Sequence, residues 1–298
     1  MDRRRALGFL AAGCVTAALP AQPAPLRARA IPASSEKLPV VGLGSWVTFD
    51  VGGAESAARR TRGDVLRSFL AAGGLLVDSS PMYGSSEAVI GAELARSPVP
   101  ALFAATKVWT VGGLAGRLQM EHSRRLWGLP RFDLMQVHNL LDWQTHWPTL
   151  KAWKAEGRVR HIGMTTSHGR RHHDLEAILR SERLDFVQVT YNLADRDAEN
   201  LMALAAARGV AVIVNRPFDG GGLFGAKTHK ALPGWAAEIG CASWAEAFLK
   251  WIVAHPAVTC AIPATSKPAH LAENMRALAG PLPDERLRRR IADDYARL

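Results

Sequence analysis

Residues 75–107 read LLVDSSPMYGSSEAVIGAELARSPVPALFAATK and contain one repeating unit of the predicted fold. An apolar run at 75–78 ends in Asp78, and a second apolar run at 101–107 ends in Lys107. Short apolar runs that alternate with amphipathic stretches of ten or more residues are typical of strand–helix units around a parallel sheet. The stretch therefore predicts two parallel strands joined by a helix.

Apolar runs of this kind recur along the whole chain, at 41–46, 75–78, 101–107, 133–138, 158–165, 185–190, 210–215 and 258–263. From the second run to the seventh, each run ends 25 to 31 residues after the previous one. The last interval is longer and contains the glycine-rich loop at 219–225. No G-x-G-x-x-G segment follows the first run, which counts against a Rossmann domain. The pattern predicts an α/β fold, a single-domain (β/α)8 (TIM) barrel over residues 31–298.

Some of the predicted helices have recognisable start or stop signals. A helix at 64–72 ends at a pair of glycines. Ser243 and Glu246 have the spacing of a capping box, in which both side chains accept bonds from free backbone N–H groups. Asp197 is predicted to cap the helix that Gly209 ends.

Residues 1–30 have the composition of a targeting segment. Arg3, Arg4 and Arg5 precede a short Ala/Leu-rich stretch, and Ala28-Arg29-Ala30 resembles a small-x-small cleavage site. This pattern predicts a twin-arginine-type signal, contact with the export machinery, and a periplasmic or secreted protein. Two alternatives stay open: a basic tail that remains attached to a cytoplasmic protein, and lipidation at Cys14.

The charge and composition exclude several classes of protein. Removing residues 1–30 removes five arginines and one aspartate, which lowers the net charge from +10 to +6. No basic run interleaved with aromatic residues remains, so nucleic-acid binding is not expected. No apolar run is long enough for a stable membrane span. Cys241 and Cys260 are expected to be free thiols, and no metal site is expected, even at the histidines His168, His172 and His173.

Polar residues stand at or near the end of successive predicted strands: Asp78, Lys107, His138, Thr165, Gln188 and Asn215. In a parallel barrel, all strands end at the same rim, which is where TIM-barrel enzymes have their active sites. Buried charged groups are costly unless they pair or take part in chemistry. The pattern therefore predicts an active site at this rim, and the lack of an acidic pair argues against a glycosidase.

Three of these polar residues, together with a tyrosine in the loop after Asp78, resemble a known catalytic set. Asp78, Tyr83 in PMYGSSE, Lys107 in ATKVW and His138 in QVHN resemble, in order and spacing, the catalytic tetrad of the aldo-keto reductase family. The resemblance continues at 42–46, 157–166, 188–193 and 261–274, and so spans most of the chain. It implies a (β/α)8 barrel that binds a nicotinamide dinucleotide without a Rossmann fold and reduces carbonyl groups.

The resemblance also assigns roles to the four residues. Tyr83 is expected to donate a proton to the carbonyl oxygen, and a neighbouring Lys107 ammonium is expected to lower the pKa of its phenol. Asp78 is expected to hold Lys107 charged and oriented, and His138 to donate a hydrogen bond to the carbonyl.

The resemblance implies that the dinucleotide contacts Ser45, Trp46, Thr165, Thr166, Gln188, Asn215, Arg216, Pro217, Thr265, Ser266, Lys267, His270 and Asn274. Thr166, Asn215 and Arg216 depart from the residue types common in the family at these positions. The hydroxyls and the lysine at 265–267, ahead of a predicted helix, suit a 2′-phosphate and favour NADP(H) over NAD(H).

A pocket for a small carbonyl substrate is expected beside the tetrad. Trp46, Trp109 and Asn139 follow strand ends and are the residues predicted to line it, with Trp143 and Trp147 as weaker candidates. The leading hypothesis is an exported, NADP(H)-dependent enzyme that reduces aldehydes and ketones. The alternative is a dinucleotide-binding sensor or partner subunit on the same barrel, with vestigial chemistry.

Overall fold

The computed structural model describes residues 26–99 and 101–298 of the chain. An antiparallel pair, β1 and β2, precedes a parallel sheet of eight strands, β3 to β10. In chain order the strands are β1 (Ala28–Ala30), β2 (Lys37–Pro39), β3 (Leu43–Gly44), β4 (Leu76–Asp78), β5 (Phe103–Val108), β6 (Phe132–Val137), β7 (Val159–Thr165), β8 (Phe186–Thr190), β9 (Ala211–Asn215) and β10 (Val258–Ala261).

The parallel sheet closes on itself. Each strand from β3 to β9 pairs with the next strand in the chain, and β10 is the last of the series. Val41 and Gly44, at the first strand, form parallel bridges to Ala261 and Ala264, at the last strand. The predicted single-domain (β/α)8 barrel is therefore confirmed, because eight parallel strands in chain order with closure between first and last define this fold.

Helices connect the strands and surround the barrel. They are α1 (Ala57–Ala71), α2 (Ser86–Arg96), α3 (Gly113–Trp127), α4 (Trp143–Ala155), α5 (His172–Ser181), α6 (Glu199–Ala207), α7 (Trp235–Glu238), α8 (Trp244–Val253), α9 (Pro268–Arg276) and α10 (Glu285–Arg297). The longest interval predicted from the sequence, between β9 and β10, contains both α7 and α8.

The helix starts agree only in part with the sequence-based predictions. The Ser243 hydroxyl accepts a bond from the Glu246 N–H, as predicted, while the Glu246 carboxylate accepts from the Ala242 N–H. The predicted start of α1 was wrong, because the Ser56 hydroxyl caps the helix from the preceding polar segment and α1 begins at Ala57. The predicted cap at Asp197 was also wrong, because α6 begins at Glu199 without a side-chain cap.

The two-residue period of the strands places alternate side chains inside the barrel. On β5, Phe103 and Ala105 lie in the apolar interior, and Lys107 follows them two residues later. On β4, Leu76 lies in the same interior cluster and Asp78 follows it. Buried polar residues therefore form a layer of the barrel interior at the carboxyl ends of the strands.

The hairpin of β1 and β2 closes the opposite end of the barrel. Ile31 and Leu38 are buried in the cluster that fills the barrel interior. The Arg29 guanidinium donates to the carbonyl oxygens of Val253, at 2.9 Å, and His255, at 2.6 Å. Residues 28–30 therefore belong to the folded barrel, and the leader boundary predicted after Ala30 falls inside this hairpin.

Two further expectations concern features outside the active site. Cys241 and Cys260 are free thiols, Cys260 being fully buried. In the part of the chain that the structure describes, no helix has the length and apolar character needed to cross a membrane. Arg3, Arg4, Arg5 and Cys14 lie outside the described residues.

Candidate active site

A cavity of about 750 Å³ opens at the carboxyl ends of the barrel strands. Most of the residues that the sequence assigns to a functional site line it together: Ser45, Trp46, Asp78, Tyr83, His138, Asn139, Gln188, Asn215, Arg216, Pro217, Thr265, Ser266, His270 and Asn274. Its volume lies in the range of natural ligand pockets, about 300–1,000 Å³.

A buried ion pair lies at the base of the cavity. The Lys107 ammonium donates to the Asp78 carboxylate at 2.5 Å and to the Ser79 carbonyl oxygen at 2.8 Å. Burial lowers the pKa of Lys107, but the charge of Asp78 and the proximity of Tyr83 raise it more, so the pKa lies above its ordinary value. Lys107 is therefore a permanent cation, held in one position beneath the cavity.

Tyr83 lies directly above this cation. The Lys107 ammonium is 5.2 Å from the centroid of the Tyr83 ring, and the ring meets the His138 imidazole edge to face at 5.6 Å. Burial raises the pKa of the Tyr83 phenol, while Lys107 lowers it, and the net pKa lies above its ordinary value. The expected lowering by Lys107 is present, but desolvation outweighs it, so the phenol carries its proton.

The imidazole of His138 is neutral and has a fixed orientation. Burial, reinforced by the charge of Lys107, lowers its pKa well below 6.5. Its Nδ1 lies 2.9 Å from the Ser80 hydroxyl, and that hydroxyl accepts a bond from the Met82 N–H. Because the Ser80 O–H is then free to donate to Nδ1, we assign the imidazole proton to Nε2. This tautomer gives the cavity a neutral hydrogen-bond donor.

Two glutamine side chains complete the environment of Asp78. The amide nitrogens of Gln188 and Gln136 donate to Asp78 Oδ1 at 3.0 Å and 3.3 Å. The predicted ligand contact of Gln188 is therefore limited to its carbonyl oxygen, because its N–H₂ group is oriented toward the carboxylate. The Asp78 carboxylate, of whose surface only 2% is exposed, is thus hydrogen-bonded through both of its oxygens.

Asn215 and Arg216 shape the cavity wall at the end of β9. The Asn215 amide donates to the Thr166 carbonyl oxygen at 3.1 Å and accepts from the Thr190 hydroxyl at 2.7 Å. The Arg216 guanidinium bonds Asp219 at 2.9 Å and lies 5.2 Å from the Trp46 ring centroid. The Nε atom of Arg216 is buried without a partner, which leaves a donor for a ligand.

A helix amino terminus borders the other end of the cavity. Lys267 precedes α9, whose first residue is Pro268, and Lys267 provides no side-chain cap. Ser266 and Thr265 line the cavity just ahead of this terminus, and His270 lines it from the first turn of the helix. Uncapped backbone N–H groups and the helix dipole favour an anion at such a position.

Apart from Lys107, which lies beneath the cavity, four of the predicted site residues do not line it. Thr165 accepts a bond from the Asn139 N–H, and Thr166 is buried with its hydroxyl unpartnered. The Lys267 side chain is exposed outside the cavity lining. Trp109 lies outside the lining, and both its backbone N–H and its carbonyl bond the Gln119 amide, so it is oriented by α3. Trp143 and Trp147 are likewise outside the lining, and Trp147 is buried in the hydrophobic core.

The structure also brings residues to the cavity that the sequence did not single out as site residues. Ser80 orients His138, and the pair of serines after Asp78 was a usable signal, because residues that follow a catalytic strand lie at the rim. His168 and Arg170 line the cavity from the loop after β7. Within the described ranges, no three or more His, Cys, Asp or Glu side chains, His168 included, lie close enough together to hold a metal ion.

Comparison with known proteins agrees with this geometry. Residues 40–290 match the model of the aldo/keto reductase family. The methylglyoxal reductase YeaE of Escherichia coli is 26% identical over 251 residues, which cover 81% of this chain and 86% of that protein. An uncharacterized oxidoreductase of Schizosaccharomyces pombe is 27% identical over 218 residues, covering 67% and 68% of the two chains.

Solved structures share the fold. An aldo/keto reductase from Klebsiella pneumoniae in complex with NADP and acetate superimposes with a TM-score of 0.75 at 23% identity, covering 88% of this chain and 93% of that one. The holo form of an aldo-keto reductase from Bacillus halodurans gives a TM-score of 0.74 at 20% identity, with coverages of 91% and 96%. Because the family model spans most of the chain, the protein belongs to the aldo/keto reductase family of oxidoreductases.

Proposed function

We propose that the protein reduces aldehyde and ketone carbonyls to alcohols with NADP(H), and that Tyr83 is the proton donor. One observation carries this proposal: a protonated phenol lies between a buried Lys107–Asp78 pair and a neutral His138 donor, inside a single cavity. A carbonyl oxygen that accepts from Tyr83 and His138 would develop its charge where two donors and a cation stabilise it.

The residues of the cavity fit a nicotinamide dinucleotide. The unpartnered Nε of Arg216 and the uncapped start of α9 both provide donors for phosphate oxygens. Gln188 and Asn215 line the same cavity as Tyr83 and His138. The cofactor, when bound, supplies a hydride to the carbonyl carbon.

The chain's own residues donate the proton and stabilise the charge that develops. Tyr83 gives its proton to the carbonyl oxygen, and Lys107 stabilises the phenolate that remains. Asp78 keeps Lys107 charged and prevents it from moving toward the substrate. His138 positions the carbonyl through Nε2–H and, being neutral, does not compete as the acid.

NADP(H) is the favoured cofactor. Ser266 and His270 line the cavity at the start of α9, and the exposed side chain of Lys267, which directly precedes α9, carries a charge that suits a 2′-phosphate. Similar aldo-keto reductases from Klebsiella pneumoniae were crystallised with NADP and with NADPH, which supports this preference. The similarity to a methylglyoxal reductase supports a small carbonyl compound as substrate.

The proposed function is tested with the full chain, by titration with NADPH and NADH followed through tryptophan fluorescence, and then by turnover of a panel of aldehydes. We expect tighter binding of NADPH, and Tyr83→Phe is expected to bind it equally well but to lose at least about a hundredfold in kcat. Lys267→Ala is expected to weaken NADPH more than NADH. Undiminished turnover by Tyr83→Phe would remove Tyr83 as the proton donor, and turnover by neither protein would leave only a binding function.

We also propose that the protein is exported by the twin-arginine route to the periplasm or beyond. The support is the Arg3-Arg4-Arg5 sequence ahead of a short apolar stretch. This route carries folded proteins, so the cofactor would travel bound. Cell fractionation tests it: replacing Arg4 and Arg5 by lysine should retain the protein in the cytoplasm, and export of that variant would contradict the proposal.

A further inference from the structure

The loop after β7 gives the cavity a positively charged wall. His168 and Arg170 line the cavity together with Tyr83 and His138. Arg170 Nη2 lies 3.5 Å from His168 Nδ1. Burial lowers the pKa of His168, and the charges of Arg216 and Arg170 lower it further, against smaller opposing effects of Asp219 and Asp195.

The charge of Arg170 is not compensated within the protein. Arg216 forms an ion pair with Asp219, and Arg171 forms one with Asp174. For Arg170, by contrast, no carboxylate of residues 26–99 or 101–298 lies within ion-pair distance, and its side-chain contact is the neutral His168. An unpaired cation that lines a ligand cavity favours an anionic group in that cavity.

This wall is attached to the catalytic side of the cavity. Asn139, the residue after His138, donates its N–H to the Thr165 hydroxyl at 2.9 Å. Its side-chain oxygen accepts from the Ser167 hydroxyl at 3.2 Å. His168 and Arg170 therefore lie in a loop that is hydrogen-bonded to the residue after His138.

The backbone of the loop is held in an uncommon conformation. His168 and Arg171 both have left-handed φ angles, of 58° and 61°, which side chains other than glycine and asparagine rarely adopt. The conformation is maintained by bonds from the His168 N–H to the Thr190 hydroxyl and from the Arg171 guanidinium to the Leu140 carbonyl. Such strained conformations concentrate at functional sites. Here the two bonds hold the 168–170 segment in place.

Apolar side chains are also exposed in the cavity. Trp46, Met82 and Phe224 line it and remain 40%, 41% and 43% exposed. A ligand beside the tetrad would thus meet an apolar surface for its carbon skeleton and a cationic group on one side.

We propose that the substrates this site prefers are carbonyl compounds that carry a carboxylate, which Arg170 binds with support from His168. The proposal rests on the function proposed above, because it concerns the same cavity. A phosphate of the dinucleotide would present the same anionic chemistry to Arg170, and the experiment is designed to separate the two sources.

The test compares the full chain acting on 4-carboxybenzaldehyde and on methyl 4-formylbenzoate, which differ only in the charge and methyl group of one substituent. We expect the wild type to prefer the carboxylate, and the preference to weaken with added salt. Arg170→Gln is expected to lower kcat/KM for the carboxylate about tenfold, or more, and that for the ester less than about twofold. Arg170→Lys should retain part of the preference.

Arg180→Gln is the matched control. Arg180 lies on α5, pairs with Glu176 and is outside the cavity lining, so its replacement changes the net charge equally without changing the wall. A loss of the preference in this variant would show that overall charge, and not the cavity, causes it, and would overturn the proposal. So would a wild type without preference, or an Arg170→Gln variant that keeps it.

An increase in KM for NADPH in Arg170→Gln, with equal losses for both aldehydes, would assign Arg170 to the dinucleotide and overturn the substrate assignment. Binding of the two corresponding alcohols, followed by tryptophan fluorescence, gives a readout without turnover. If neither aldehyde is reduced, the proposed function fails, while selective binding of the carboxylate alcohol by the wild type alone still supports the anion site. Equal binding by wild type and Arg170→Gln contradicts that site.

Discussion

Tyr83 keeps its proton because two opposing effects act on its phenol. Burial raises its pKa, the Lys107 ammonium lowers it, and burial is the larger effect. The same cation then stabilises the phenolate once the proton has left. In the proposed reaction, the Lys107 ammonium therefore lowers the free-energy cost of transferring the Tyr83 proton to a carbonyl oxygen.

The pH dependence of reduction follows from these directions. The protonated phenol is the reactive form, and its pKa lies above the ordinary value of 10.0. His138, with its pKa well below 6.5, is already neutral at neutral pH. We expect the single-turnover rate with NADPH to stay nearly constant from about pH 7 to pH 9 and to fall only at higher pH. A decrease with a midpoint near neutral pH would contradict the protonation states of both residues.

Ser80 is expected to act through His138. Replacing it by alanine removes the bond to Nδ1 and with it the preference for the Nε2–H tautomer. We expect Ser80→Ala to lower kcat/KM by about tenfold with little change in melting temperature. Ser85→Ala is the control, because Ser85 lies on the same loop but bonds Asp50 instead. Equal activity of wild type and Ser80→Ala would refute the positioning role.

At the scale of elements, strands were predicted well and loops were not. The end of each strand in the sequence is marked by a change from apolar to polar residues, and the period of two then places Asp78 and Lys107 in one layer. The orientation of Trp109 depends instead on two bonds to Gln119, ten residues later in α3. No local pattern encodes such a contact, and Trp109 lies outside the cavity lining.

Packing of α2 against α3 depends on Gly91. A Cβ atom at this position would lie 1.7 Å from the Leu126 carbonyl oxygen, so Gly91→Ala requires the two helices to separate. We expect a loss of about 1–3 kcal/mol in the free energy of unfolding, measured with urea. Gly53→Ala is the control, because a Cβ there meets no atom within 4 Å. If both variants unfold at the same urea concentration, the close approach of the helices is not as described.

For the whole molecule, the amino-terminal hairpin closes the barrel end opposite the cavity. Deleting residues 1–30 removes β1 and the Arg29 bonds to Val253 and His255, all of which a deletion of residues 1–25 retains. We expect the longer deletion to cost about 3 kcal/mol or more, measured by thermal or urea unfolding. Equal stability of the two truncated proteins would show that the hairpin does not stabilise the barrel.

The site was predictable to the extent that it lies on strands. Asp78, Tyr83, His138 and most of the residues predicted to contact a dinucleotide line one cavity, with Lys107 beneath it, because strand ends converge at one rim. Thr165 and Thr166 were expected to contact the dinucleotide but lie outside the cavity lining: the Thr165 hydroxyl accepts from the Asn139 N–H, and the Thr166 hydroxyl is buried without a partner among the described residues. The role of Arg170 was not foreseen, because its position depends on a loop conformation fixed by Thr190 and Leu140.

Deuterium transfer in the full chain tests the proposed reaction most directly. NADPH that carries two deuterium atoms at C4 of the nicotinamide is mixed with an aldehyde, and the alcohol is analysed by mass spectrometry. We expect one deuterium on the carbinol carbon with the wild type, and almost no alcohol with Tyr83→Phe although that variant binds NADPH equally well. Alcohol without deuterium, or the same yield from Tyr83→Phe, would contradict the proposed reaction.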